Sequence, residues 1–275
     1  MIRITETVKH LIIINVLLWI ATFVLQERGI DLNVLLSLHF PENNSFEFWQ
    51  PITSMFMHSL ASPAHLLFNM LGLWMFGSAL EMRWGKMKFL SFYMITGVGA
   101  GLVHTLVNYV EFYSLAQQVT ELNLSTTQIK EIINVDMVSG RQYLGKLLSN
   151  ELPSILTKEQ LLFVSDASFT AMFHMNILNQ TVALGASGAL YGILVAFGMM
   201  YPNTELMLLF LPIPIKAKYF IPGLLLLDFI GGITGGLSLF GAGQIAHFAH
   251  LGGALFGFLL MWYFNKTQFN KNRWN

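Results

Sequence analysis

The sequence predicts an all-α membrane protein: a bundle of six transmembrane helices with a helical extramembrane insertion between the third and fourth. Three observations predict it. Of 275 residues, 54% are hydrophobic and only 11% are charged, against about 25% charged in a typical soluble domain. The apolar residues gather into six runs of about the length a bilayer requires. The basic residues then sort to one side of those runs. Mean hydropathy is +0.57. A formal charge of zero argues against a nucleic-acid partner. The absence of cysteine excludes disulfides, zinc thiolates and a cysteine nucleophile.

The first predicted span, about 10–26, is a long apolar run with no small-x-small cleavage site after it, so it reads as a span rather than a cleaved signal. A connection, 27–63, carries Trp49, Gln50, Pro51 and a Met-Phe-Met-His run ending at His58. Its many apolar residues suit the membrane interface. The second span, about 64–82, contains His65 and Asn69, and the third, about 89–110, contains Gly97, Gly99 and Gly101. Charges return in the insertion, about 111–181. There Ser125 with Gln128 and Thr157 with Gln160 have capping-box spacing, and Gly140 fits the end of a helix begun near Ser125. Several short helices outside the membrane are expected. The fourth span starts near Ser187 and ends before Pro202-Asn203, and the fifth covers about 219–234. A glycine-rich loop, 235–243, precedes the sixth, about 245–264, and the tail 265–275 is polar and basic.

With a cytoplasmic N-terminus, the inner segments hold Arg3, Lys9, Arg83, Lys86, Lys88, Lys216, Lys218, Lys266, Lys271 and Arg273, ten of the fifteen basic residues. Only Arg28 lies in a short outer loop, while the rest sit in the insertion, where the rule lapses. Six spans with both termini inside follow. That topology puts Ser187, His65 and His250 at similar depth toward the outer face.

Ser187 lies in Gly185-Ala186-Ser187-Gly188-Ala189-Leu190-Tyr191-Gly192. Small residues there let helices approach closely, and Gly188 and Gly192 are spaced for it. The same serine, at a helix N-terminus, suits a nucleophile beside free backbone N–H groups. A serine needs a base, usually histidine. Gly253 and Gly257 follow His250 by three and seven residues and form a bare stripe matching Gly188 and Gly192. Two facing stripes would bring Ser187 to His250. His247, one turn earlier, is the rival base, but it lacks those following glycines. His65 and Asn69, at i and i+4, share one helix face and offer two donors to an oxyanion. Either one alone also suits a bond to a neighbouring helix.

Together, His65-x-x-x-Asn69, Gly185-x-Ser187-Gly188 and Ala249-His250-x-x-Gly253-x-x-x-Gly257 make the chain resemble the rhomboid intramembrane serine proteases over residues 1–265 apart from the insertion. The resemblance implies one rhomboid protease domain over 1–275 and a catalytic dyad of Ser187 and His250. It also implies an oxyanion hole of His65, Asn69 and the Ser187 amide, with Tyr191 packed on the catalytic imidazole. Single-pass transmembrane proteins would be the substrates, the lipid bilayer the setting, and no metal or cofactor is called for. Glu81-Met-Arg83-Trp-Gly85 looks like the family's structural element closing the second span. Trp49-Gln50 stands where many members have Trp-Arg. Asp228 is the only acid well inside a predicted span. An intramembrane acid is a functional suspect, yet the family's chemistry does not use one, so structural pairing is expected of it. A catalytically silent rhomboid-like protein that binds membrane clients is the alternative. A small transporter would favour inverted repeats and paired mid-membrane charges, and neither is visible. The compact cysteine-free form suits a bacterial cytoplasmic membrane.

Overall fold

In the computed structural model, which describes residues 3–140, 142–208, 211–234 and 247–271, four helices are long and apolar enough to cross a membrane. They are Glu6–Gln26, Lys86–Gln117, Ala217–Thr234 and His247–Lys266, the last continuing as helix to Lys271. Their outer faces are apolar: Leu17 and Phe23 on the first, Phe229 and Ile233 on the third and Phe258 and Trp262 on the last are all exposed. Belts of this kind suit lipid rather than water. The glycine-rich loop 235–243 and the first two residues of the sixth predicted span lie outside the described residues.

Two predicted spans take a different form. The second is built from Pro63–Gly72, a π-helical turn Leu73–Gly77 and Ser78–Trp84. The wider turn shifts the register of the side chains, a feature that sequence periodicity does not report. The fourth, Ser187–Met200, is an apolar helix of 14 residues. At 1.5 Å per residue it is about 21 Å long, well short of a hydrocarbon core about 30 Å thick. Beyond it, Glu205–Leu208 pairs antiparallel with Leu211–Lys216 in a short hairpin.

By internal contacts the chain forms two units. One comprises Leu38–Gln50 and Thr105–Ala183 and has its own core, including Phe112, Leu122, Ile132, Met137, Leu148 and Met172. Capping boxes are present at Ser125/Gln128 and Thr157/Gln160, and a third closes at Ser165/Ser168. Gly140 does not end the helix begun at Ser125. That helix, Thr126–Ile133, stops at Asn134, and Gly140 (φ +64°) turns the chain between the strands Val138–Ser139 and Gln142–Tyr143. Carbonyls at and just beyond the helix end also take side-chain donors. Asn176 Nδ2 donates to Ile132 O (2.8 Å) and Val135 O (2.9 Å), and Asn179 Nδ2 to Ile133 O (2.9 Å). Gln50, fully buried, ties its own loop by donating to Ser45 O and accepting from His39 N. An arginine there could donate but not accept.

The other unit holds the remaining helices, around a core that includes Val8, Leu73, Leu80, Phe92, Tyr93 and Ile193. Helix Glu6–Gln26 begins four residues before the predicted span because its N-terminus is capped from afar. Glu81 accepts from Thr7 N and Val8 N at 3.0 Å and from the Thr5 hydroxyl. A carboxylate at that end satisfies free N–H groups and complements the helix dipole.

Glycines set the spacing of the helices that matter most. A Cβ on Gly253 would lie 1.9 Å from Gly188 O, and one on Gly257 2.6 Å from Gly192 Cα. The helix His247–Lys271 therefore rides directly on the backbone of Ser187–Met200. A Cβ on Gly188 or Gly192 would first meet a third helix, Lys86–Gln117, at Ala100 (2.5 Å) and Thr96 (2.6 Å), and Gly192 also lies close to Gly253 O (3.0 Å). The two predicted stripes thus join three helices rather than two.

Candidate active site

Ser187 is the first residue of its helix. The turn before it needs Gly185, whose φ of +125° lies where side-chain-bearing residues are strained. Gly185 N donates to Ser54 O at 2.9 Å, anchoring that turn. A Cβ on Gly185 would stand 3.0 Å from His65 Nε2 and 3.6 Å from Ser187 Oγ. The bare glycine thus leaves a gap bounded by the imidazole and the hydroxyl. As the opening residue of a helix, Ser187 also presents a backbone N–H that has no partner within the helix.

His250 lies one turn into its helix, with Nε2 2.8 Å from Ser187 Oγ. Its ring stacks on Tyr191 at 4.2 Å between centroids and 12° between planes. Tyr191 follows Ser187 by four residues and therefore lies on the same helix face. His247, the rival base, turns elsewhere, with Nδ1 2.7 Å from Asp228 Oδ1.

Sequence reasoning did not find what stands behind His250. Asp228 Oδ1 also lies 3.1 Å from His250 Nδ1, and the Tyr191 hydroxyl donates to Oδ2. Asp228 is 7% exposed, so three donors converge on a buried carboxyl group. It lies 22 residues before His250 on a separate helix, Ala217–Thr234. The available signal was its standing as a lone acid in an apolar run.

Asn69 is buried, and its Nδ2 donates to His65 O at 2.9 Å, one turn back along its own helix. An amide has two N–H donors, so one remains. The ring of His58 packs on that of His65 at 5.1 Å. Burial, reinforced by His65 and opposed by the Phe56 backbone, pushes the His58 pKa down to about 3. His58 belongs to the connection between the first two predicted spans.

This arrangement can perform acyl transfer. A hydroxyl touches an imidazole, and the ring of His65 borders the gap that Gly185 leaves beside that hydroxyl.

The chain matches the Rhomboid domain family over residues 45–115 and 154–267. The rhomboid protease GlpG of Haemophilus influenzae is 27% identical over 101 residues, 36% of this chain and 52% of that protein. The rhomboid protease AarA of Providencia stuartii is 38% identical over 65 residues, 24% of this chain and 22% of the relative. GlpG of Klebsiella pneumoniae is 37% identical over 89 residues, 32% of each. The chain therefore spans about half the length of the first relative and a third or less of the other two.

Proposed function

The chain belongs to the rhomboid family, and from that premise we propose that it is an intramembrane serine endopeptidase. Its substrates on this reading are single-pass membrane proteins, cut within or beside the transmembrane segment. The observation that carries the reading is the 2.8 Å contact between Ser187 Oγ and His250 Nε2.

The mechanism follows from the positions of the groups. A transmembrane segment enters from the lipid and unwinds near the outer face, exposing a peptide bond. The short helix Ser187–Met200 supports this, because a helix of about 21 Å whose C-terminal end lies at the inner face puts Ser187 about 9 Å below the outer one. Non-helical backbone at such depth is tolerated where it lines a water-filled cavity, and water is the second substrate. His250 takes the Ser187 proton as Oγ attacks the carbonyl carbon. The oxyanion is held by the Ser187 amide, His65 and the free N–H of Asn69. Collapse expels the amine, protonated by His250, and leaves an acyl-enzyme that water then hydrolyses with His250 again as base. No metal or cofactor enters the scheme. Six crossings with both termini cytoplasmic, the 111–181 insertion outside the membrane, and a bacterial cell membrane complete the reading.

The test is labelling by a fluorophosphonate together with cleavage of a tagged single-pass reporter in proteoliposomes. The wild-type chain labels and cuts. Ser187→Ala does neither while it still unfolds in a single cooperative thermal transition. Full cleavage by the alanine variant would sink the serine mechanism. Absence of labelling in the wild type would favour a catalytically silent client-binding protein.

A further inference from the structure

We propose that Asp228 is the positioning residue for His250, so that the reaction runs on a Ser187–His250–Asp228 relay rather than on two residues. The inference rests on the proteolytic reading above and deepens it. Its basis is geometric. Asp228 Oδ1 lies 3.1 Å from His250 Nδ1, on the side of the ring opposite the 2.8 Å contact with Ser187 Oγ.

Two physical consequences follow. The carboxylate accepts from Nδ1–H, which leaves the Nε2 lone pair facing Ser187. In the other tautomer the proton sits on Nε2, and the ring cannot act as base. Second, His250 becomes an imidazolium when it takes the serine proton, and a cation is costly on a side chain only 13% exposed. A carboxylate one hydrogen bond away offsets that charge as it develops. Asp228 stays ionised throughout, because the proton moves only between Oγ, Nε2 and the leaving amine.

The carboxylate is itself held in place. Tyr191 donates its hydroxyl to Oδ2 while its ring stacks on His250, so one side chain fixes both members of the pair. His247 Nδ1 shares Oδ1 at 2.7 Å. Bonded to Ser187 and Asp228 and stacked on Tyr191, His250 is oriented from two helices besides its own. A merely structural account would make Asp228 a tether for His247 and Tyr191 that happens to lie beside the base. That account places no constraint on which His250 nitrogen carries the proton.

The two accounts separate in kinetics on the 275-residue chain in proteoliposomes, using a fluorophosphonate and the tagged reporter. Asp228→Asn keeps size and hydrogen-bonding capacity but loses the charge and the preference for the productive tautomer. It lowers both kcat and the labelling rate about 10²- to 10⁴-fold, with KM within about threefold. Asp228→Glu restores the charge and regains at least about tenfold over the asparagine variant. A folded Asp228→Asn enzyme with wild-type kcat and labelling rate overturns the proposal, and so does a loss that appears only in thermal stability. If Asp228→Asn does not fold, Tyr191→Phe decides. It keeps the stacked ring and releases Oδ2, so kcat falls about tenfold at constant KM, and a wild-type kcat there overturns the proposal. A wild-type chain that neither labels nor cleaves brings down the protease reading itself, a pattern distinct from either result.

Discussion

Gly253 is the position where helix packing and proposed chemistry are most tightly joined, and Gly253→Ala tests both. The added methyl would stand 1.9 Å from Gly188 O, whereas real Cβ contacts essentially never fall below 3.0 Å. The obstacle is backbone, which cannot swing aside as a side-chain tip does. The two helices must therefore part by at least about 1.1 Å at that point. Gly257, one turn on, is pinned against Gly192 Cα, so the histidine-bearing helix pivots there rather than moving as a whole. At 1.5 Å per residue, Gly253 lies about 6 Å from the pivot and His250 about 10.5 Å. The opening at His250 is then about 1.9 Å, which takes the 2.8 Å contact with Ser187 to about 4.7 Å, beyond hydrogen-bond reach.

A misplacement of about 1 Å costs roughly 10²-fold in rate, so Gly253→Ala loses at least that factor in cleavage and in fluorophosphonate labelling. The overpacked interface also costs about 1–3 kcal/mol of stability, read as a lower unfolding temperature in detergent. Gly223→Ala is the control, because nothing lies within 4 Å of its Cβ position and its rate stays at the wild-type value. Wild-type labelling and cleavage by Gly253→Ala would refute the claim that this contact sets the distance between the two side chains.

Two further outcomes concern stability. The His58 pKa is pushed down to about 3, so its stabilising effect is complete above the ordinary value near 6.5 and is lost as pH falls toward 3. By pH 4.5 the loss is about 3 kcal/mol, and His58→Met flattens the fall in unfolding temperature between pH 7.5 and 4.5. An equal fall in both proteins would show that His58 is not the group responsible. Asn176→Leu strips the side-chain donor from the carbonyls of Ile132 and Val135; Ile132 O keeps its backbone donors, so the cost is about 1–3 kcal/mol for Val135 O. Hydrogen exchange then accelerates across Thr126–Ile133 but not across Ser187–Met200, and uniform protection in both segments would contradict the assignment.

What was legible in the sequence divides along a physical line. Local patterns were readable because one segment contains all their parts. The apolar runs gave the long helices, and Ser-x-x-Gln and Thr-x-x-Gln gave two capped helix starts that formed at those residues. Gly140 misled because a glycine at positive φ serves a helix end and a hairpin turn equally well. The π-helical turn at Leu73–Gly77 escaped because an apolar run looks the same at either helical pitch. The distant contacts were closed to sequence reading altogether. Glu81 caps a helix more than 70 residues away, and Asp228 meets His250 across two helices. Both depend on which helix faces face each other, which a single chain's spacing does not encode. Gly253 and Gly257 were the partial exception, since a residue with no side chain advertises that something comes close.

That exception explains why a polar cluster can persist in this setting. Between helices in lipid there is no hydrophobic driving force, so association relies on close packing and interhelical hydrogen bonds. The glycines supply the first and the side chains around Asp228 the second, and each requires the other. Without the backbone contact at Gly188 and Gly253, Ser187 and His250 would be two unpaired, partly buried polar groups, each costing free energy. Without the bonded network, the glycines would bring together two smooth rods free to slide or rotate. Ser187, His250, Asp228, His247 and Tyr191 satisfy one another in a continuous chain of bonds, and that chain fixes the rotation that close packing alone leaves open. The groups assigned to the chemistry are therefore also what sets the register of three helices. Asp228 joins all three, which is why the kinetic split between kcat and KM, rather than loss of activity alone, is the measurement that separates its two roles.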